Sequence, residues 1–192
     1  MRFFVTRHGE TDWNVLNKVC GRTEVELTEK GRQQAAELGD RLADKKIDVI
    51  ISSPMKRAYE TGRIIAKKCG IDNVATDDRL IEQDYGIYEG VDRKDKGFLG
   101  NKRNFAFRYP GGESMMQVAY RTYGLLDELK ERYCGKNVLI VCHGGVCRVI
   151  NTYFRDMTNE EFFNYSLGNC GVEEYAVSDQ GPVAQGCMPT IL

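Results

Sequence analysis

Three short runs of β-branched, aromatic and other apolar residues, Phe3 to Thr6, Ile47 to Ser52 and Val138 to Cys142, constrain this fold most. They are apolar with little alternation, as in strands buried on both faces, and each is too short for a helix. Segments with helical spacing lie between and after them, so strand and helix alternate along the chain. This order predicts an α/β three-layer sandwich, a mainly parallel central sheet with helices on both faces.

The first helix is predicted from Thr28, as N-cap, to about Lys45, with Ala35, Leu38 and Leu42 on one face. The second takes Ser53 as cap and Pro54 as first helical residue, turns Ala58, Thr61 and Ile65 inward, and closes at Cys69 and Gly70. A third opens near Glu113 or Ser114. Its Met115, Val118, Ala119, Leu125, Leu126, Leu129 and Tyr133 form one stripe, and Gly135 ends it. A fourth follows Gly144 and Gly145 to about Phe154, and Thr158 caps a short one reaching Tyr165. Gly171 to Val177 reads as an edge strand, because Glu173 and Glu174 interrupt it. Residues 91–110 read as an irregular lid. The reading is one domain over 1–178, followed by a loosely held tail over 179–192.

The chain has 192 residues, 42% of them hydrophobic and 29% charged, which suits one packed domain. A net charge of -1 lacks the basic excess of a nucleic-acid or anionic-membrane binder, so neither partner is expected. The apolar run Val138 to Cys142 is far short of the ~20 residues that cross a bilayer. The N-terminal apolar block is too brief for a secretion signal, and a cytoplasmic location is the expectation. Seven cysteines, an odd number without C-x-x-C spacing, suit reduced, packed thiols.

Both histidines of the chain follow a predicted strand and precede a glycine, in Thr6-Arg7-His8-Gly9 and Cys142-His143-Gly144-Gly145. Ligands gather at the carboxyl ends of strands in open α/β sheets, so both imidazoles stand where a site would form. The middle strand leads into a helix start bearing Arg57, a cation at the end where free N–H groups and the helix dipole already favour an anion. Arg7, His8, Arg57 and His143, if they converge, make a small positive pocket suited to a phosphoryl group. A neutral histidine there has the chemistry to attack phosphorus, and a protonated Asp or Glu to supply the leaving oxygen with a proton. Composition does not single out that carboxyl.

Arg7-His8-Gly9-Glu10-Thr11 with Trp13-Asn14 resembles the signature of the histidine phosphatase superfamily, which includes the phosphoglycerate mutase-like family. The resemblance continues through Leu27 to Gly31 with Gln34-Ala35, Ser52-Ser53-Pro54 with Arg57-Ala58 and Thr61, Leu80 to Gly90, Pro110 to Ser114, and Val141 to Gly145. One departure is Glu26, where the family commonly has proline.

The resemblance implies His8 as the nucleophile that becomes phosphohistidine. It also implies Glu82 as the general acid and Arg7, Asn14, Arg57 and His143 as the phosphate-binding set. It further implies the three-layer fold and a chemistry with no metal and no cofactor. The cations and aromatics of residues 91–110 read as a lid that meets a second anionic group, so Lys102 and Arg103 are assigned with Gly144 to substrate binding. The short interval between Glu82 and Gly111 favours water as acceptor. The expected function is hydrolysis of a small phosphorylated metabolite, with mutase-type transfer and non-catalytic phospho-ligand binding as alternatives. A homodimer is left open.

Overall fold

A computed structural model describes residues 1–177 of the chain. In chain order its strands are β1 (Arg2–Arg7), β2 (Val49–Ser52), β3 (Val74–Thr76), β4 (Asn137–Cys142) and β5 (Val172–Ala176). Its α-helices are α1 (Asp12–Val15), α2 (Glu29–Leu42), α3 (Lys56–Cys69), α4 (Lys96–Lys102), α5 (Met115–Arg132), α6 (Gly144–Phe154) and α7 (Asn159–Asn164). Ser178, the expected tail over 179–192 and Cys187 lie outside the described residues.

The strands form one sheet in the order β3-β2-β4-β1-β5, parallel except for β5, which pairs antiparallel with β1 at an edge. Successive strand residues face opposite sides. Phe3, Val5, Ile51, Val138, Ile140 and Cys142 pack with α5 and α6 on one face, around Leu125, Leu126, Leu129, Val146 and Ile150. On the other, Phe4, Ile50, Leu139 and Val141 pack with Ala35, Leu38 and Leu42 of α2 and Ala58, Ile65 and Ala66 of α3. Burying each large aliphatic here contributes about 1.5–3 kcal/mol, which favours alternation of strand and helix over any unpaired arrangement. A small third cluster, Val19, Phe98 and Tyr109, lies under the lid.

Caps follow the sequence reading at α2, where Thr28 accepts from Gly31 N–H. They follow it also at α5 and α7, where Ser114 with Gln117 and Thr158 with Glu161 form capping boxes. Three local expectations need correction. The first helix stops at Leu42, passes into a 3-10 turn over Ala43–Lys45, and reverses at Lys46, with φ 52°. The second begins at Lys56 with Met55 as its cap residue, not at Ser53, and no side chain caps it. The Ser53 hydroxyl instead accepts Met55 N–H at 3.4 Å and lies 2.9 Å from His143 Nε2. The stretch 91–110 is not wholly irregular, since it contains α4, capped by Asp95. Among the described residues no helix is long and apolar enough to cross a membrane.

Candidate active site

Parallel pairing sets Arg7 opposite Cys142 and Ser52 opposite Val141. The residues that follow, His8, Ser53 and His143, therefore leave the sheet together at its carboxyl edge. His8 N–H donates to Cys142 O at 3.0 Å and Ser53 N–H to Val141 O at 2.9 Å, extending the ladder one step beyond the strands. The two imidazoles meet edge to face, with ring centroids 5.2 Å apart.

Burial, then the Arg57 and Arg7 charges, hold His8 well below the ordinary histidine pKa. Burial also lowers His143 far below that value, with Arg57, His8 and Arg7 adding to it. Both rings are therefore neutral at pH 7. His8 Nδ1 lies 2.7 Å from Gly9 O, which only accepts, so Nδ1 carries the proton and Nε2 keeps its lone pair. His143 Nε2 lies 2.9 Å from Ser53 Oγ, while its Nδ1 is buried without a protein partner. With the Ser53 hydroxyl donating, the His143 proton sits on Nδ1.

Arg57 is fully buried, its Nη1 donating to Thr23 O (3.0 Å) and Nη2 to Gly21 O (2.7 Å). Arg7 donates from Nη1 to Leu167 O at 3.2 Å. Neither makes an ion pair among the described residues, and Nε of each is buried without a protein partner. Leaving such a donor unmade costs about 1–3 kcal/mol. Three such donors from three strand ends, Arg7 Nε, Arg57 Nε and His143 Nδ1, suit a bound oxyanion.

Glu82, 5% exposed, accepts from Gly145 N–H at Oε2 (3.0 Å) and from Gln83 N–H at Oε1 (2.9 Å). A Cβ at residue 145 would stand 2.6 Å from Glu82 Oε1, so this approach requires glycine. Asn14 Oδ1 accepts from Thr11 N–H (3.2 Å) and from Asn169 Nδ2 (3.1 Å), and the latter also donates to His8 O (2.9 Å).

Arg7, His8, Asn14, Glu82, Gly144 and Lys102 all line one cavity of about 240 Å³. Arg57 and His143, both fully buried, are not among the residues that line it. Burial, followed by the Arg148 and Arg93 charges, pushes the Lys102 ammonium down to about 8. Arg103 does not line the cavity either. Its guanidinium stacks on Phe163, 3.9 Å from the ring centroid, and pairs with Glu160 at 3.5 Å. Lys102 Nζ lies over the same ring, 4.5 Å from its centroid, so the two cations share Phe163, and of the two Lys102 lines the cavity.

Arg93 and Arg148 also line the cavity, and sequence reasoning assigned neither to the site. Arg148 carried a signal, a lone charge inside Val146 to Ile150, and it is spent on Tyr165 O through Nε (3.3 Å) and Nη2 (3.0 Å). Asn169 carried none. Among the described residues no cluster of three or more His, Cys, Asp or Glu is placed to hold a metal ion.

Residues 3–187 match the sequence profile of the Histidine phosphatase superfamily (branch 1). Phosphoglycerate mutase-like protein 4 of Arabidopsis thaliana is 38% identical over 154 residues, 75% of this chain and 66% of that protein. The chain thus spans just under two thirds of that relative. Uncharacterized phosphatase PhoE of Bacillus subtilis is 36% identical, over 77% of this chain and 74% of its own. Among solved structures, Bacillus stearothermophilus YhfR superposes with a TM-score of 0.84 at 29% identity, covering 94% of this chain and 93% of that one. The Entamoeba histolytica phosphoserine phosphatase complexed with 3-phosphoglyceric acid gives 0.79 at 27% identity, covering 91% and 90%.

Proposed function

We propose, for a chain that belongs to the histidine phosphatase superfamily, that it hydrolyses a small phosphorylated metabolite through a phosphohistidine on His8. The observation that carries this reading is the set of three buried nitrogens without a protein partner, Arg7 Nε, Arg57 Nε and His143 Nδ1, beside a neutral His8. The lone pair of His8 Nε2 forms the N–P bond as the ester P–O bond breaks, and the leaving oxygen takes the Glu82 proton. Water then attacks phosphorus and gives its proton to the Glu82 carboxylate, the N–P bond breaks, and orthophosphate leaves with His8 restored. The two arginines and His143 supply fixed donors for charge on the transferring group, which needs no reorganisation during the step. No step requires a metal.

The short cover between Glu82 and Gly111 supports water as the acceptor. The names of relatives support phosphoryl compounds as the substrate class.

The test is brief exposure to a phosphorylated substrate in the presence of chelator. An acid-labile, base-stable phosphoryl label is expected on the wild-type protein and not on His8→Ala. Label surviving that substitution would overturn the assignment. Incubation with 3-phosphoglycerate and a bisphosphoglycerate primer is expected to release orthophosphate, and isomerisation instead would make the chain a mutase.

A further inference from the structure

We propose that Glu89 is a positioning residue for Arg57, acting through the single peptide unit that joins Gly21 to Arg22. Arg22 N–H of that peptide donates to Glu89 Oε1 at 3.1 Å, and Gly21 C=O of the same peptide accepts from Arg57 Nη2 at 2.7 Å. A carboxylate, one peptide dipole and a guanidinium thus stand in series.

The half-buried Glu89 carboxylate does more than touch this peptide. It also accepts from Gly21 N–H (3.1 Å), Thr23 N–H (3.4 Å) and Thr23 Oγ1 (2.8 Å), so successive amides of the turn converge on one anion. From the other side it accepts Tyr85 N–H at 3.4 Å, three residues beyond Glu82. The second carbonyl that holds Arg57, Thr23 O, belongs to the same turn.

A Cβ at residue 21 would lie 2.2 Å from Glu89 Oε1 and 2.3 Å from Gln83 O, so the close approach depends on glycine. Arg57 itself is fully buried and has no ion pair among the described residues. Its orientation therefore rests on two neutral carbonyls, and the negative charge beyond the peptide strengthens the Gly21 carbonyl as an acceptor. With one N–H of each Nη spent on a carbonyl, Nε and the second N–H of each Nη are the donors left for a phosphoryl oxygen.

The inference rests on the reading that Arg57 binds that oxyanion, and a double-mutant cycle separates the two. Orthovanadate affinity and kcat/KM are measured for wild type, Arg57→Ala, Glu89→Gln and the double variant, with unfolding midpoints for each. Glu89→Gln is expected to weaken both by about tenfold to a hundredfold, the usual cost of losing a supporting partner. In the Arg57→Ala background it is expected to cost less than twofold. Equal losses in both backgrounds, or no loss in either, would overturn the role of Glu89. Unchanged vanadate affinity in Arg57→Ala would instead overturn the oxyanion reading. Should Glu89→Gln not fold, Glu89→Asp, which keeps the charge one methylene short, is put through the same cycle with the same criteria.

Discussion

The carboxyl edge of the sheet and the lid face each other across one cavity, yet they are built differently. His8, Arg57 and His143 are 4%, 0% and 0% exposed, follow β1, β2 and β4 in sequence, and stand against the two large cores. Lys102 and α4 rest on three buried residues, Val19, Phe98 and Tyr109, with Tyr85, Tyr88, Val91 and Leu99 partly buried around them. The groups assigned to phosphorus therefore share their support with global stability. The groups proposed to meet the rest of the substrate hang mainly on a satellite cluster, in a lid whose Phe105 packs against the main core, and such small clusters open at lower cost than the sheet.

The sharpest way to break this division is to remove the proposed proton donor. Glu82→Gln is expected to slow an alkyl phosphate by about 10²–10⁴-fold and a nitrophenyl phosphate far less, since nitrophenolate leaves without a proton. Equal losses on both would make Glu82 structural.

Core truncation comes next. Leu126→Ala, in the core under α5, is expected to lower global stability by about 2–5 kcal/mol. Phe98→Ala is expected to act mainly through faster amide exchange across residues 91–110 and a raised KM. An equally large drop in global stability for Phe98→Ala would show that the lid cluster is part of the main core.

Acid gives a third test. Both histidines are held far below the ordinary pKa of 6.5. Below that pH the unfolded chain binds protons that the native protein refuses. Their contribution to stability is thus fully present above pH 6.5 and declines as pH falls, by about 1.4 kcal/mol per pH unit for each histidine. His143→Gln is expected to flatten part of this slope in denaturation curves between pH 6.5 and 5. An unchanged slope would mean that His143 is already charged in the native state.

The smallest effect belongs to the lid. Lys102 is cationic below about 8 and loses its charge as pH rises through that value. KM for a doubly anionic substrate is expected to rise roughly threefold across that range, the size of one exposed charge contact. Lys102→Met is expected to abolish the pH step while leaving kcat within about twofold.

The three central strands were legible because burial on both faces leaves an unbroken apolar run, and the two histidines because each directly follows such a run. β3 was not, since only Val74 of its three residues is partly buried and the others are exposed. α4 escaped because its sequence, Lys96 to Lys102, holds two glycines and one buried side chain, too little for a helical stripe. Arg103 was grouped with Lys102 by charge, and what separates them is the Glu160 partner that Arg103 takes beside the Phe163 ring they share. Glu89 was invisible for another reason. Its partners are backbone amides, which carry no residue identity that a sequence could display.

β4 slots between β1 and β2, although the ribosome delivers it long after both. An N-terminal piece ending before Asn137 has His8 and Arg57 but not the strand that separates their parents, nor His143 and Gly145 beyond it. Under the proposed mechanism, phosphate turnover during synthesis would begin only after this late insertion, one of the long-range pairings that set the pace of folding. Onset of turnover would then serve as a clock for closure of the sheet.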